Sequence, residues 1–180
     1  GSTYGLNSIY STQPYVESAN SAVRKLTEAL DTLKAAANSL NTGLNPGEGG
    51  TAMNLTQLKD AVATLQTATS AMELAGKQAV KNIVAAQVSS DLTSAAQTAA
   101  EAASTAARNA MSAVEAAVDA ADAATTDDMT AALESAQAAV SAMEAVTSAG
   151  DAAVTAMQAA ANAASTQNLY DAVKAVYDEN

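Results

Sequence analysis

Along most of the chain, apolar residues return every three and four positions, the spacing that keeps one face of a helix turned toward a neighbour. Val16, Val23, Leu26, Leu30, Leu33, Ala37 and Leu40 trace the first such seam. Pro14 stands near its start and suits a first helical turn, where a missing N–H costs nothing. A second seam runs through Leu58, Val62, Leu65, Thr69, Met72, Gly76, Ala79, Ile83 and Ala86. A third follows in a shifted phase through Leu92, Ala96, Ala99, Ala103, Ala106, Ala110, Val114, Ala117 and Ala121, after a Ser90 cap with Asp91 in the first turn.

The longest pattern begins at "TTDD" (Thr125 to Asp128), with Thr126 read as the cap. Two rows of heptad positions are polar throughout: Asp127, Glu134, Ser141, Ser148, Thr155 and Asn162, and Thr130, Gln137, Glu144, Asp151, Gln158 and Ser165. The rows expected to face inward hold Leu133, Val140, Thr147, Val154 and Ala161, and Met129, Ala136, Met143, Gly150, Met157 and Ala164. A linker would not hold such a register, so Gly150 reads as a small core residue rather than a stop. The other positions are nearly all alanine, and so wide an apolar arc implies burial against more than one helix. "ST" at Ser165 and Thr166 then reads as the start of a short last helix whose apolar face is Leu169, Tyr170, Val173 and Tyr177.

Between the first two helices lies "NTGLNPGEGGTAMN" (Asn41 to Asn54), with a proline and four glycines. It predicts an exposed loop over about 41–53 with Asn45, Pro46, Gly47 and Glu48 at its distal tip. Asn54 closes it as an N-cap, with Gln57 three residues on. The expected fold is all-α: one domain, an elongated antiparallel bundle of three to four long helices plus a short C-terminal helix. Its helices fall at about 14–41, 54–88, 90–124, 127–165 and 167–178. In an up-down-up-down order the tyrosines, all near the two chain ends (Tyr4, Tyr10, Tyr15, Tyr170 and Tyr177), would meet at one pole. The glycine loop and the "TTDD" turn would share the other.

Composition sharpens this picture. Phe and Trp are absent and more than a quarter of the residues are alanine. Alanine favours helix but buries little area, so stability requires closely approaching helices. The formal charge is −11, and between Ser89 and Ser165 Arg108 is the lone cation among ten acids. Such a face repels phosphate backbones and anionic bilayers, which argues against nucleic-acid binding. The longest uncharged run, Ala152 to Tyr170, carries too many amides and hydroxyls for direct membrane insertion. The opening "GS" reads as an expression scar, with targeting segments expected to lie outside the sequence.

Chemistry is sparse. With no His and no Cys, the common metal-ligand sets and nucleophile–base pairs are missing. The pairs Asp119/Asp122 and Asp127/Asp128 read as a solvated face and a helix start. "GEGG" (Gly47 to Gly50) lacks the Lys-Ser/Thr of a phosphate loop. An eleven-residue threonine ladder of the ice-binding kind fails, because stepping back from Thr166 and Thr155 gives Glu144 and Leu133. No enzyme activity, cofactor or metal is expected. Asn54-Leu55-Thr56 is the candidate glycosylation acceptor.

A cysteine-free, alanine-rich set of long helices, with tyrosines toward one pole and the loop "NTGLNPGEGG" at the other, resembles the alanine-rich surface coat proteins of African trypanosomes. That group includes the glutamic acid/alanine-rich protein and its relatives. Only nine glutamates occur, which favours an alanine-rich relative. The resemblance implies a GPI-anchored surface antigen of the cell membrane, held by a lipid anchor beyond Asn180 and packed laterally against its neighbours, with no active site. The alternative from a different class is a helical interaction protein of a secretion, phage or cytoskeletal assembly that binds a partner helix through an alanine seam.

Overall fold

The computed structural model describes the backbone of residues 2–85 and 90–179, and the side chains of residues 17–85, 91–163, 170 and 173–178. The fold is all-α. Four helices carry the described residues: α1 (Ser2–Leu44), α2 (Leu55–Ala85), α3 (Ser90–Ala123) and α4 (Thr130–Glu179).

Two expected boundaries move. α1 runs through Pro14 instead of beginning there; the ring forgoes one backbone bond, and the helix continues on both sides of it. α4 is a single helix from Thr130 to Glu179, so no separate helix starts at 167. Ser and Thr cap a helix only where the backbone turns, and Ser165–Thr166 is followed by no glycine or proline that would turn it. α4 also passes Ala149–Asp151 without interruption. The expected break near 88–91 falls largely on residues 86–89, outside the described residues, as does Ala86 of the second seam.

Neighbouring helices pack in cyclic order, α1 on α2, α2 on α3, α3 on α4 and α4 on α1. α2 and α4 also touch across the centre, whereas the described parts of α1 and α3 do not meet. Direction follows from two cross-links: Lys34 Nζ lies 2.7 Å from Asp151 Oδ1, and Asn45 Nδ2 lies 3.1 Å from Gln137 Oε1. Positions rise along α1 as they fall along α4, so these two helices are antiparallel. Across the diagonal, Thr69 meets Met143 Sδ at 3.8 Å, and Met72 approaches Gly150.

The core divides by side-chain size. α1 and α2 contribute Leu26, Leu30, Leu33, Leu40, Leu58, Leu65, Met72 and Ile83, all buried. α3 and α4 contribute mainly alanine, among them Ala96, Ala100, Ala103, Ala107, Ala136, Ala139, Ala153 and Ala160. Large side chains from one pair therefore fill the space left by small ones from the other, as interior packing density requires. The second seam is buried at every described position that the spacing marked, including Thr69, whose hydroxyl donates to the Leu65 carbonyl at 2.7 Å.

In the alanine helices one row of each seam shifts by a residue. Ala100 and Ala107 are buried in α3, while Ala99 and Ala106 are only half-buried. In α4 the row Ala132, Ala139, Val146, Ala153 and Ala160 is buried, and of the expected row Val140, Thr147 and Val154 are half-buried, Leu133 is exposed and only Ala161 is buried as expected. Alanine at the centre of the face allows close approach, and the branched side chains are displaced to its flank. The row Ala136, Met143, Gly150 and Met157 is buried as expected, while Met129 is half-buried and Ala164 lies outside the described side chains.

Two helical glycines mark the tightest approaches. A methyl added at Gly150 would stand 2.6 Å from Leu30 Cδ1 and 2.9 Å from Met72 Cε, both ends of flexible side chains. At Gly76 it would stand 3.0 Å from the Ala100 carbonyl oxygen and 3.2 Å from the Ser104 backbone nitrogen. Both substitutions gain about 1 kcal/mol of helix propensity. At Gly150 the neighbours can yield, so Gly150→Ala should stay within about 1 kcal/mol of the parent in urea unfolding. At Gly76 backbone must move, and Gly76→Ala should lose about 1–2 kcal/mol. Equal stabilities for the two variants would contradict this difference.

Candidate functional site

The loop between α1 and α2 is built by its own backbone. Asn45 N–H donates to the Asn41 carbonyl at 2.9 Å, and Gly50 N–H to the Gly47 carbonyl at 2.8 Å. Gly49 adopts φ 80°, a left-handed conformation that glycine enters without steric cost. Met53 N–H reaches back to the Gly43 carbonyl at 3.3 Å, and the Met53 side chain lies against Gly43, closing the loop's base.

Of the tip residues, Asn45, Gly47 and Glu48 are exposed as expected, and Pro46 is half-buried, its Cβ against Gly50. The Asn45 amide also donates to Asn41 Oδ1 at 3.0 Å and to Gln137 of α4. The loop is thus tied to α4 near its N-terminal end, on the same side of the molecule as the "TTDD" turn.

Asn54 has the expected cap geometry. Its Oδ1 accepts the Gln57 N–H at 2.8 Å, and Gln57 Oε1 accepts the Asn54 N–H at 2.9 Å. This reciprocal pair satisfies two donors at the start of α2. The cap uses Oδ1, whereas a glycan would be carried on Nδ2, so the two roles do not compete for an atom. At the other turn Thr126 is not the cap: Met129 holds the cap position, its carbonyl accepting the Leu133 N–H at 2.9 Å, and Asp128 supplies the side-chain acceptor. Asp128 Oδ1 accepts the Thr130 N–H at 3.3 Å, and Thr125 Oγ1 accepts the Asp128 N–H at 3.2 Å. Thr125 and Asp128 exchange backbone bonds at 3.3 and 3.1 Å, which delays α4 until Thr130.

Asp119, Asp122, Asp127 and Asp128 are all exposed, and among the described residues no three acidic groups converge in a way that could hold a metal ion. No helix is long and apolar enough to cross a membrane among the residues described. The predicted tyrosine pole is only partly visible. Tyr4, Tyr10 and Tyr15 lie outside the described side chains, as does Leu169, and Tyr170 and Tyr177 are 61% and 79% exposed.

Three concave features lie along the helix seams, and the spacing of apolar residues signalled none of them. Between α1 and α4 a groove of about 350 Å³ is lined by Lys34, Asn38, Asn41, Gln137, Glu144 and Asp151. Between α1 and α2 a furrow of about 380 Å³ is lined by Ala22, Ala29, Ala71, Ala75 and Leu74, with Lys25 and Glu28 among its polar residues. Through Thr32 it continues into a second hollow of about 590 Å³ beside Ala36, Ala61 and Thr64. Alanine leaves these hollows because a methyl cannot reach across the seam that a leucine would fill.

Comparison of the chain with protein-family models, with curated proteins and with solved structures returns no match in any of the three.

Asn54→Ala should cost about 1 kcal/mol by removing the cap acceptor, while Asn54→Asp should keep most of that stability. Thermal unfolding of the two variants beside the parent measures the difference. Equal losses would show that the Gln57 N–H bond contributes nothing.

Proposed function

We propose that the chain is the ectodomain of a non-enzymatic coat protein, an elongated antiparallel bundle held at a cell surface near the C-terminal end of α4. The observation that supports this most is the placement of the loop. Asn45 is fastened to α4 near the start of that helix, and α4 then runs uninterrupted for 50 residues, roughly 75 Å at 1.5 Å per residue, to its far end. Anchorage by a lipid beyond Asn180 would lift Gly47 and Glu48 to the outermost layer. The resemblance in composition to trypanosome coat proteins supports the same reading, as do the solvated polar rows of α4. Glycosylation at Asn54 would lie at the base of that outer loop.

A second reading draws on the furrow between α1 and α2. An interaction protein that accepts a partner helix on an alanine-rich seam would present such a surface.

Expression in the source cell with an epitope tag inserted after Glu48 separates the two. Under the coat reading, intact cells bind anti-tag antibody, and a phosphatidylinositol-specific phospholipase releases the protein. Recovery of all tagged protein from the interior, inaccessible until lysis, would sink the coat reading.

A further inference from the structure

A fourth hollow, of about 670 Å³, opens beneath the loop between α1 and α2. Ser39, Thr42, Pro46, Thr51 and Gln57 line it together with Met53, and none of its lining residues carries a charge. Met53 makes two contacts with Gly43. Its N–H donates to the Gly43 carbonyl at 3.3 Å, and its methyl fills the space that a side chain at position 43 would need, with Sδ 3.1 Å from that point. The other hydrogen bonds of residues 41–57 among the described residues join positions three or four apart, or run from Asn45 to Gln137. Within the loop itself, Met53 is what closes one end on the other.

A thioether suits this place because it is unbranched and reaches across to the glycine, but it is also the side chain here that peroxide attacks. Access separates the methionines. Met72, Met143 and Met157 are buried, while Met53, Met111 and Met129 are half-buried. Met111 lies within α3 and Met129 at the start of α4, so neither joins the ends of a loop. Met53 alone among the six borders the hollow beneath the loop.

We propose that Met53 is an oxidisable latch, and that its conversion to the sulfoxide by a peroxide releases the loop tip that carries Glu48. The sulfur lone pair attacks one peroxide oxygen and the O–O bond breaks. The other oxygen leaves as water with the proton of the transferred oxygen, and sulfur is oxidised by two electrons. A sulfoxide oxygen is a strong acceptor, and holding it against Gly43 without a donor is costly. It turns toward the hollow and the hydroxyls of Thr42 and Thr51, which draws the methyl away from Gly43. The loop base then opens while Asn54 and Gln57 still cap α2. The latch goes beyond the coat reading and does not depend on it.

The test uses hydrogen peroxide on the purified chain, with the oxidation of each methionine followed by peptide mass spectrometry. A glutamate-specific protease then reports loop opening through cleavage after Glu48, because proteolysis follows the population of the opened segment. Met53 should oxidise before Met72, Met143 and Met157, and cleavage after Glu48 should rise about fivefold. Methionine sulfoxide reductases with dithiothreitol should restore the slow rate. Met53→Leu should stay slow with or without peroxide, whereas Met53→Gln should be fast without it. Gly43→Ala, which takes the place of the Met53 methyl, should also be fast without peroxide. Circular dichroism checks that each variant keeps its helices. Unchanged cleavage once Met53 is fully oxidised, or a Met53→Leu variant that responds to peroxide as the parent does, would overturn the proposal.

Discussion

Everything in this fold depends on how closely alanine lets two helices approach. A helix faced with methyl groups has a shallow surface, and burying it yields little free energy unless the opposing surface supplies the missing volume. That volume comes from the leucines of α1 and α2, together with Met72 and Ile83. The two halves of the chain are therefore complementary rather than equivalent. Gly150 shows the principle at its limit, since the side chain is gone altogether and Leu30 and Met72 occupy its place.

The same inequality explains how much the amino-acid pattern could reveal. Where a seam contains leucine, valine and isoleucine between polar neighbours, only one face can be buried, and Leu58, Val62, Leu65 and Ile83 all lie there. Where Ala99 and Ala100 stand side by side, hydrophobicity does not choose between them. Helix packing chooses, and it takes Ala100. The choice of Ala139 over Val140 in α4 has the same origin. The start of α2 was legible in the reciprocal pair Asn54 and Gln57, whereas at the second turn the expected Thr126 gives way to Thr125 and Asp128. A helix end was misread at Ser165 and Thr166, where cap-forming residue types occur without a turn. The furrow beside Leu74 could not be read at all, because a hollow is a property of two helices and their separation.

The charge distribution follows the division in size. Acids lie mainly on the alanine-built helices and cations on the leucine-built ones. Lys34 and Asp151 join the two across the α1/α4 seam, both still solvent-exposed, so the pair adds orientation more than stability.

The alanine core also sets how the molecule responds to heat. The heat-capacity change of unfolding scales with the apolar area newly hydrated, and a core half built of methyl groups exposes less of it per residue than one built of leucine and phenylalanine. Its stability curve is correspondingly broad and shallow. A smaller heat-capacity change makes the margin against unfolding vary less with temperature than it would for a leucine-built core of the same size.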